Sequence, residues 1–297
     1  MKQKYTLLLA LLVIVGQIGF SQDKPVDKPV RSPWETTVGV DFPTTRNLPK
    51  GGLELMINHR FGKMDNGLSD LYGVYAPSNI RMGLQYGVTK DLSVGFYTEK
   101  NNKMQEFQWK YSILKQTRSG AVPVDITWYG NVVIDARPKE NFEFRESAMV
   151  DDTALVYKAA HRMSYFNELI ISRKFGPKTS AQLGFSYTHF NSVDSFIRHD
   201  ILAAHFGARY KVLSGMTLIL EGNMPLNLNL GNYASYEQFE DLNPGAAFGL
   251  EFGTSTHAFQ IFISNYEQLI RQKNIAYNPS PLEGENLRIG FNVTVRF

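Results

Sequence analysis

The sequence predicts an all-β chain: a single-chain antiparallel transmembrane β-barrel of about twelve strands, with short periplasmic turns and longer extracellular loops. Three observations carry that expectation. The last eleven residues alternate strictly, with Leu287, Ile289, Phe291, Val293, Val295 and Phe297 on one face and Arg288, Gly290, Asn292, Thr294 and Arg296 on the other. A final strand that is apolar on one side, polar on the other and aromatic at its end suits lipid outside and a lumen inside. Second, the links between apolar-alternating segments sort by parity, short after even segments and mostly long after odd ones. Third, no stretch beyond the N-terminus approaches the ~18 apolar residues of a membrane helix. The mean hydropathy of −0.24 fits alternating strands.

The chain begins with a secretory pattern. Lys2 and Lys4 precede the apolar run Leu7–Val15, and Gly19 and Ser21 are the small residues before a cut ahead of Gln22. Residues 1–21 are therefore read as a signal peptide, too short in its apolar part to span a bilayer. Residues 22–50 follow with a doubled Asp-Lys-Pro-Val and then Arg31-Ser-Pro-Trp34. Prolines and charges predict a flexible periplasmic leader here, with insertion into the lumen as the lesser alternative. Residues 51–297 are assigned to the barrel.

The strands are then taken in order. Leu53–Phe61 sets Leu53, Leu55 and Ile57 against Glu54, Asn58 and Arg60. Asn79–Val88 sets Ile80, Met82, Leu84 and Tyr86 against Arg81, Gly83, Gln85 and Gly87, and Leu92–Thr98 places Leu92, Val94 and Phe96 outward. Gln105–Lys115 alternates Phe107, Trp109, Tyr111 and Ile113 with Glu106, Gln108, Lys110 and Ser112. Val122–Asp135, Ser164–Lys174, Ser180–Phe190, Ile201–Val212, Met216–Asn223, Ala246–Gly253 and His257–Asn265 continue the series to the terminal strand. The short links are 89–91, 117–121, 176–178, 213–215 and 254–256; the long ones include 62–78, 136–163, 191–200, 224–245 and 266–286. Within the long links, Met149–His161 is read as a short helix that could fold inward.

Composition excludes several functions. The formal charge is +3, and removing Lys2 and Lys4 leaves a nearly neutral chain with no nucleic-acid footprint. Cysteine is absent, so a disulfide framework and a lipidated cysteine are both excluded. Aromatic residues make up 13 %, enough for girdles at two membrane interfaces. The six histidines show no ligand spacing; His199 and His205 share a strand face but lie roughly 20 Å apart, so neither metal nor cofactor is expected. No nucleophile elbow or phosphate loop occurs. Ser186 and His205 fall on neighbouring strands but face inward, where a lipid hydrolase would not want them, so no enzyme is expected.

Several stretches in order, LELMINHRFG from Leu53, NIRMGLQYGVTKDLSVG from Asn79, FGARY from Phe206, THAFQIFISN from Thr256 and GFNVTVRF from Gly290, resemble an uncharacterised outer-membrane β-barrel family of Bacteroidota. The resemblance implies the barrel fold and the cell outer membrane. It implies no activity and supplies no site residues.

The chemistry-bearing candidates are the inward charges: Arg60, Arg81, Glu106, Lys110, Asp125, Glu168, Arg209, Glu221, Glu251, Arg288 and Arg296. They predict either a water-filled channel guiding small polar solutes or a lumen closed by salt bridges and acting as a scaffold in an outer-membrane complex. Twelve strands lie between the eight that side chains fill and the sixteen that leave an aqueous pore. The expected partners are outer-membrane lipid, complex partners at the long loops, and the barrel assembly machinery, which would read Phe291, Val293, Val295 and Phe297.

Overall fold

The computed structural model describes residues 27–145, 157–194, 196–228, 241–278 and 286–297. The expected signal peptide therefore lies outside the described residues, as does most of the Met149–His161 segment, whose end enters a 3-10 turn at Ala159–Arg162. Twelve strands form a closed antiparallel barrel: β1 Leu53–Lys63, β2 Asn79–Gly87, β3 Leu92–Glu99, β4 Met104–Leu114, β5 Asp125–Asp135 and β6 Met163–Lys174, then β7 Thr179–Phe190, β8 Asp200–Leu213, β9 Met216–Leu226, β10 Gly245–Gly253, β11 His257–Ser264 and β12 Arg288–Arg296. One short helix, α1 Arg271–Ala276, lies in the link before β12. This is the architecture and strand number that the alternation predicts.

The barrel shuts where β1 meets β12, with Ile57 opposite Val293 and Asn58 opposite Asn292. The Phe297 N–H donates to the Leu53 carbonyl at 2.9 Å, so the chain terminus completes the seam. Closure removes both sheet edges and satisfies the backbone without water, the requirement for strands in hydrocarbon. The links after β2, β4, β6, β8 and β10 gather at the end that holds Leu53 and Phe297, and most of the longer links lie at the other.

The pleat is inside out relative to a soluble protein. Along β1 the buried residues include Glu54, Asn58 and Arg60, while Leu53, Leu55 and Ile57 are half-buried on the outside. Leu183, Phe185 and Phe248 are more than half exposed, and Leu84, Phe96, Phe107, Phe259, Ile261 and Ile263 join them in a continuous outer apolar surface. An apolar surface of that extent is stable only against lipid.

The lumen is not empty, and for residues 27–50, the described part of the leader expected over residues 22–50, the flexible reading is corrected. Trp34, Val38, Val40, Phe42 and Leu48 are all buried. The chain enters from the short-turn end, where the Val30 N–H donates to the Gln116 carbonyl at 2.8 Å and the Arg118 N–H to the Lys28 carbonyl at 3.0 Å. It bends inside the barrel, with the Gly39 N–H on the Phe42 carbonyl at 2.9 Å and the Thr44 N–H on the Thr37 carbonyl at 3.0 Å. It then returns to start β1. The physical reason is compositional: Pro25, Pro29, Pro33 and most of the charges sit in the first half of the segment, whereas Val38, Val40 and Phe42 alternate like a strand and need cover.

The returning limb is pinned at Gly87, whose N–H donates to the Gly52 carbonyl at 2.9 Å while its carbonyl accepts from Gly51 at 2.8 Å. A Cβ at Gly87 would stand 2.0 Å from the Pro49 carbonyl oxygen, a backbone atom that has nowhere to go. Gly87→Leu is therefore expected to lift residues 48–52 off the wall and expose the leader to added protease in detergent. A cleavage rate equal to wild type would contradict this pinning.

Candidate functional site in the lumen

Ten of the eleven inward charges are buried inside the barrel and Arg296 is half-buried at its end; most of them grip the hairpin formed by residues 34–48. Glu221 on β9 accepts three backbone N–H groups at the bend: Val40 at 2.8 Å, Asp41 at 2.7 Å and Phe42 at 3.3 Å. A carboxylate receiving consecutive amides is a nest for the chain, and such charge-assisted bonds are stronger than neutral ones. Gly39 makes that approach possible, since a Cβ there would lie 2.3 Å from the Glu221 carboxylate. Arg60 on β1 pairs with Asp41 at 2.7 Å. The Asn292 amide donates to the Val40 carbonyl at 2.7 Å.

Around the hairpin stem the same logic repeats. Lys110 on β4 donates to the carbonyls of Thr37 and Arg46. Glu251 accepts the Thr36 hydroxyl at 3.1 Å and pairs with Arg209 at 3.2 Å; Arg209 also donates to the Pro33 carbonyl at 3.2 Å. Arg296 pairs with Glu54 at 3.0 Å and donates to the Glu35 carbonyl. Asp125 accepts the Gln116 N–H at 2.6 Å and the Thr45 hydroxyl at 3.3 Å. At the mouth, a hydrogen bond from the Ser119 hydroxyl, then one from Thr117, holds the half-buried Asp27 carboxyl below its ordinary pKa.

The far half of the lumen is filled by α1, which descends from the link after β11. Arg271, Gln272, Asn274, Ile275 and Ala276 are buried. Arg271 donates to Glu106 at 2.8 Å, and Glu106 is held in turn by the Arg81 Nε at 2.7 Å, Asn131 at 2.7 Å and the Tyr129 hydroxyl at 3.0 Å. Ile275 and Ala276 belong to the same buried apolar cluster as Phe42, Tyr129, Phe166 and Ile170. Arg288 pairs with Glu267 at 3.3 Å in the same link.

Glu168 on β6 stands apart. It is 1 % exposed, and neither carboxylate oxygen has a hydrogen-bond partner. The carboxylate lies over Gly184, where a Cβ would stand 1.9 Å away. Ser186 and His205 do meet, with Oγ to Nε2 at 2.6 Å, but inside the lumen and beneath the Phe42 ring, whose centroid is 4.0 Å from the imidazole. His205 Nδ1 has no partner to orient it.

Sequence reasoning held the leader's insertion into the lumen only as the lesser alternative, and it missed α1. The Val38-Gly-Val-Asp-Phe42 alternation carries a signal for the hairpin; α1, six polar-rich residues in a long link, carries none. The short helix read at Met149–His161 falls largely outside the described residues, and a described inward helix comes from the last long link.

The family model for the membrane-bound β-barrel domain DUF5777 matches residues 34–297, which takes in the hairpin as well as the strands. The search among curated proteins found no match. Among solved structures, the NanC porin aligns at 9 % identity and a TM-score of 0.48, over 82 % of this chain and 98 % of that one. An outer membrane channel from Pseudomonas putida F1 aligns at 12 % identity and 0.48, over 85 % and 98 %. The KdgM porin aligns at 8 % identity and 0.44, over 83 % and 98 %.

Proposed function

Because the chain belongs to the DUF5777 family of membrane-bound β-barrel domains, we propose that it serves in the outer membrane as a channel for small polar solutes, held closed by its own leader hairpin from one end and by α1 from the other. The observation that carries this reading is the polarity of the contact between hairpin and wall. The bend hangs on Glu221, Arg60 and Asn292, and the stem on Lys110, Glu251 and Arg209. A plug held by hydrogen bonds can leave, because water replaces each bond on both surfaces and the net loss is limited to about 1.5–3 kcal/mol for each bond to a charged group. The wall it leaves behind, with Glu54, Asn58, Arg81, Gln85, Gln108 and Asn131, stays wettable. An apolar wall would collapse or dewet.

The same filled lumen supports a second reading, a permanently plugged scaffold barrel whose long loops bind a partner in the membrane. Liposome swelling separates the two. A chain that lacks residues 27–48 and carries a Gly-Ser segment of equal length in place of Arg271–Ala276 is expected to admit small sugars rapidly while the full chain swells slowly; impermeable vesicles with both, each carrying folded barrel, would favour the scaffold. No catalytic role is proposed for Ser186 and His205. In biogenesis, the outward Phe291, Val293, Val295 and Phe297 are the residues we assign to recognition by the barrel assembly machinery.

A further inference from the structure

We propose that Glu106, Tyr129 and Glu168 form a wall site for a guanidinium or alkylammonium solute, and that Arg271 occupies it as a tethered stand-in. The inference rests on the channel reading only for the route by which a solute reaches the site.

The site has the parts a cation needs. Glu106 is fully buried and presents Oε1 to the Arg271 Nη1 at 2.8 Å. The Tyr129 ring lies under the guanidinium, 4.7 Å from its central carbon to the ring centroid. A buried carboxylate facing an aromatic ring recognises cations, because the charge pairs with one and the ring face with the other. The wall members are fixed without the ligand: Arg81 holds Glu106 from behind at 2.7 Å and stacks on Tyr97 at 3.8 Å, and Phe166 meets Tyr129 edge-on with ring centroids 5.9 Å apart.

Two further observations point to a ligand other than Arg271. Glu168, buried on the neighbouring strand, carries two unpartnered oxygens, and Arg271 and Lys110 are the cations that act on it. A buried carboxylate without hydrogen bonds is costly, and a solute bearing several N–H donors could supply them. Arg271 also leaves its own Nε without a partner. Its geometry is set by α1 and not by the site alone, so an untethered guanidinium can turn to use all its donors. The occupant comes from the loop end of the barrel, so a solute that displaces it also displaces the helix filling that half of the lumen.

The test uses the full mature chain in detergent with methylguanidinium as probe, read by isothermal titration and by the temperature at which the barrel loses its heat-modifiable mobility. Arg271→Ala is expected to bind methylguanidinium at least tenfold more tightly than wild type and to gain thermal stability from it, whereas wild type gains little. Adding Glu106→Gln to Arg271→Ala is expected to abolish that gain. Arg271→Gln provides the same comparison if the alanine variant does not fold. Binding no tighter than wild type in the folded variant, or binding that survives Glu106→Gln, would overturn the proposal. Binding is read apart from permeability. Tight vesicles would count against the channel, and loss of binding against this site.

Discussion

Glu221→Ala is expected to free the hairpin bend while leaving the barrel intact. The substitution strands three buried N–H groups, those of Val40, Asp41 and Phe42. Each unsatisfied buried donor costs about 1–3 kcal/mol, and water that enters restores part of that. A net loss of about 3 kcal/mol corresponds to roughly a hundredfold more open hairpin, at 1.4 kcal/mol per factor of ten. Hydrogen exchange would reveal it: the amides of residues 38–44 should lose about two orders of magnitude of protection, while those of β1 and β12 keep theirs. Protection unchanged at the bend would mean the hairpin is held by its apolar contacts around Val40, Ile219 and Tyr266, and the gating account would fail with it.

The second large effect runs toward stability. Glu168→Met replaces a buried carboxylate with no hydrogen-bond partner by an apolar side chain of similar length. Removing such a group should stabilise the barrel by about 1–3 kcal/mol, and methionine adapts to irregular space beside Phe166. A higher temperature of mobility loss on gels is the expected readout. If the solute site is as proposed, the same variant binds methylguanidinium less well in the Arg271→Ala background, a trade of function for stability of the kind that strained sites show. A lower unfolding temperature would mean that Glu168 already has a compensating partner in the folded chain.

The barrel was legible because its signal is long and repeated. Each strand alternates over about ten residues, and the inversion of polarity, with Arg60 and Glu106 inside and Leu84 and Phe107 outside, follows directly from the pleat. The inward charges were legible for the same reason. What they do was not. Glu54, Lys110, Glu221 and Glu251 are scattered from β1 to β10, and only closure brings them around one hairpin. The balance of charges raised a filled lumen as an alternative, with salt bridges across strands. In the structure many of those charges are instead answered by backbone groups of the leader, which carry no charge in the sequence. The hairpin alternates over only five residues, Val38–Phe42, too few to outweigh the prolines before it. Helix α1 is buried because the lumen is polar, so its Arg271 and Gln272 give no apolar stripe to detect.

The most direct measurement places a single cysteine at Val40, in a chain that has none of its own, and records bilayer current while a bulky water-soluble thiol reagent is present. Val40 lies in the hairpin bend and is 1 % exposed. The gating account predicts that Val40→Cys reacts only during openings, and that the reacted hairpin cannot reseat, leaving a lasting stepwise current. Current flowing while residue 40 stays protected, or full modification in a silent bilayer, would contradict it.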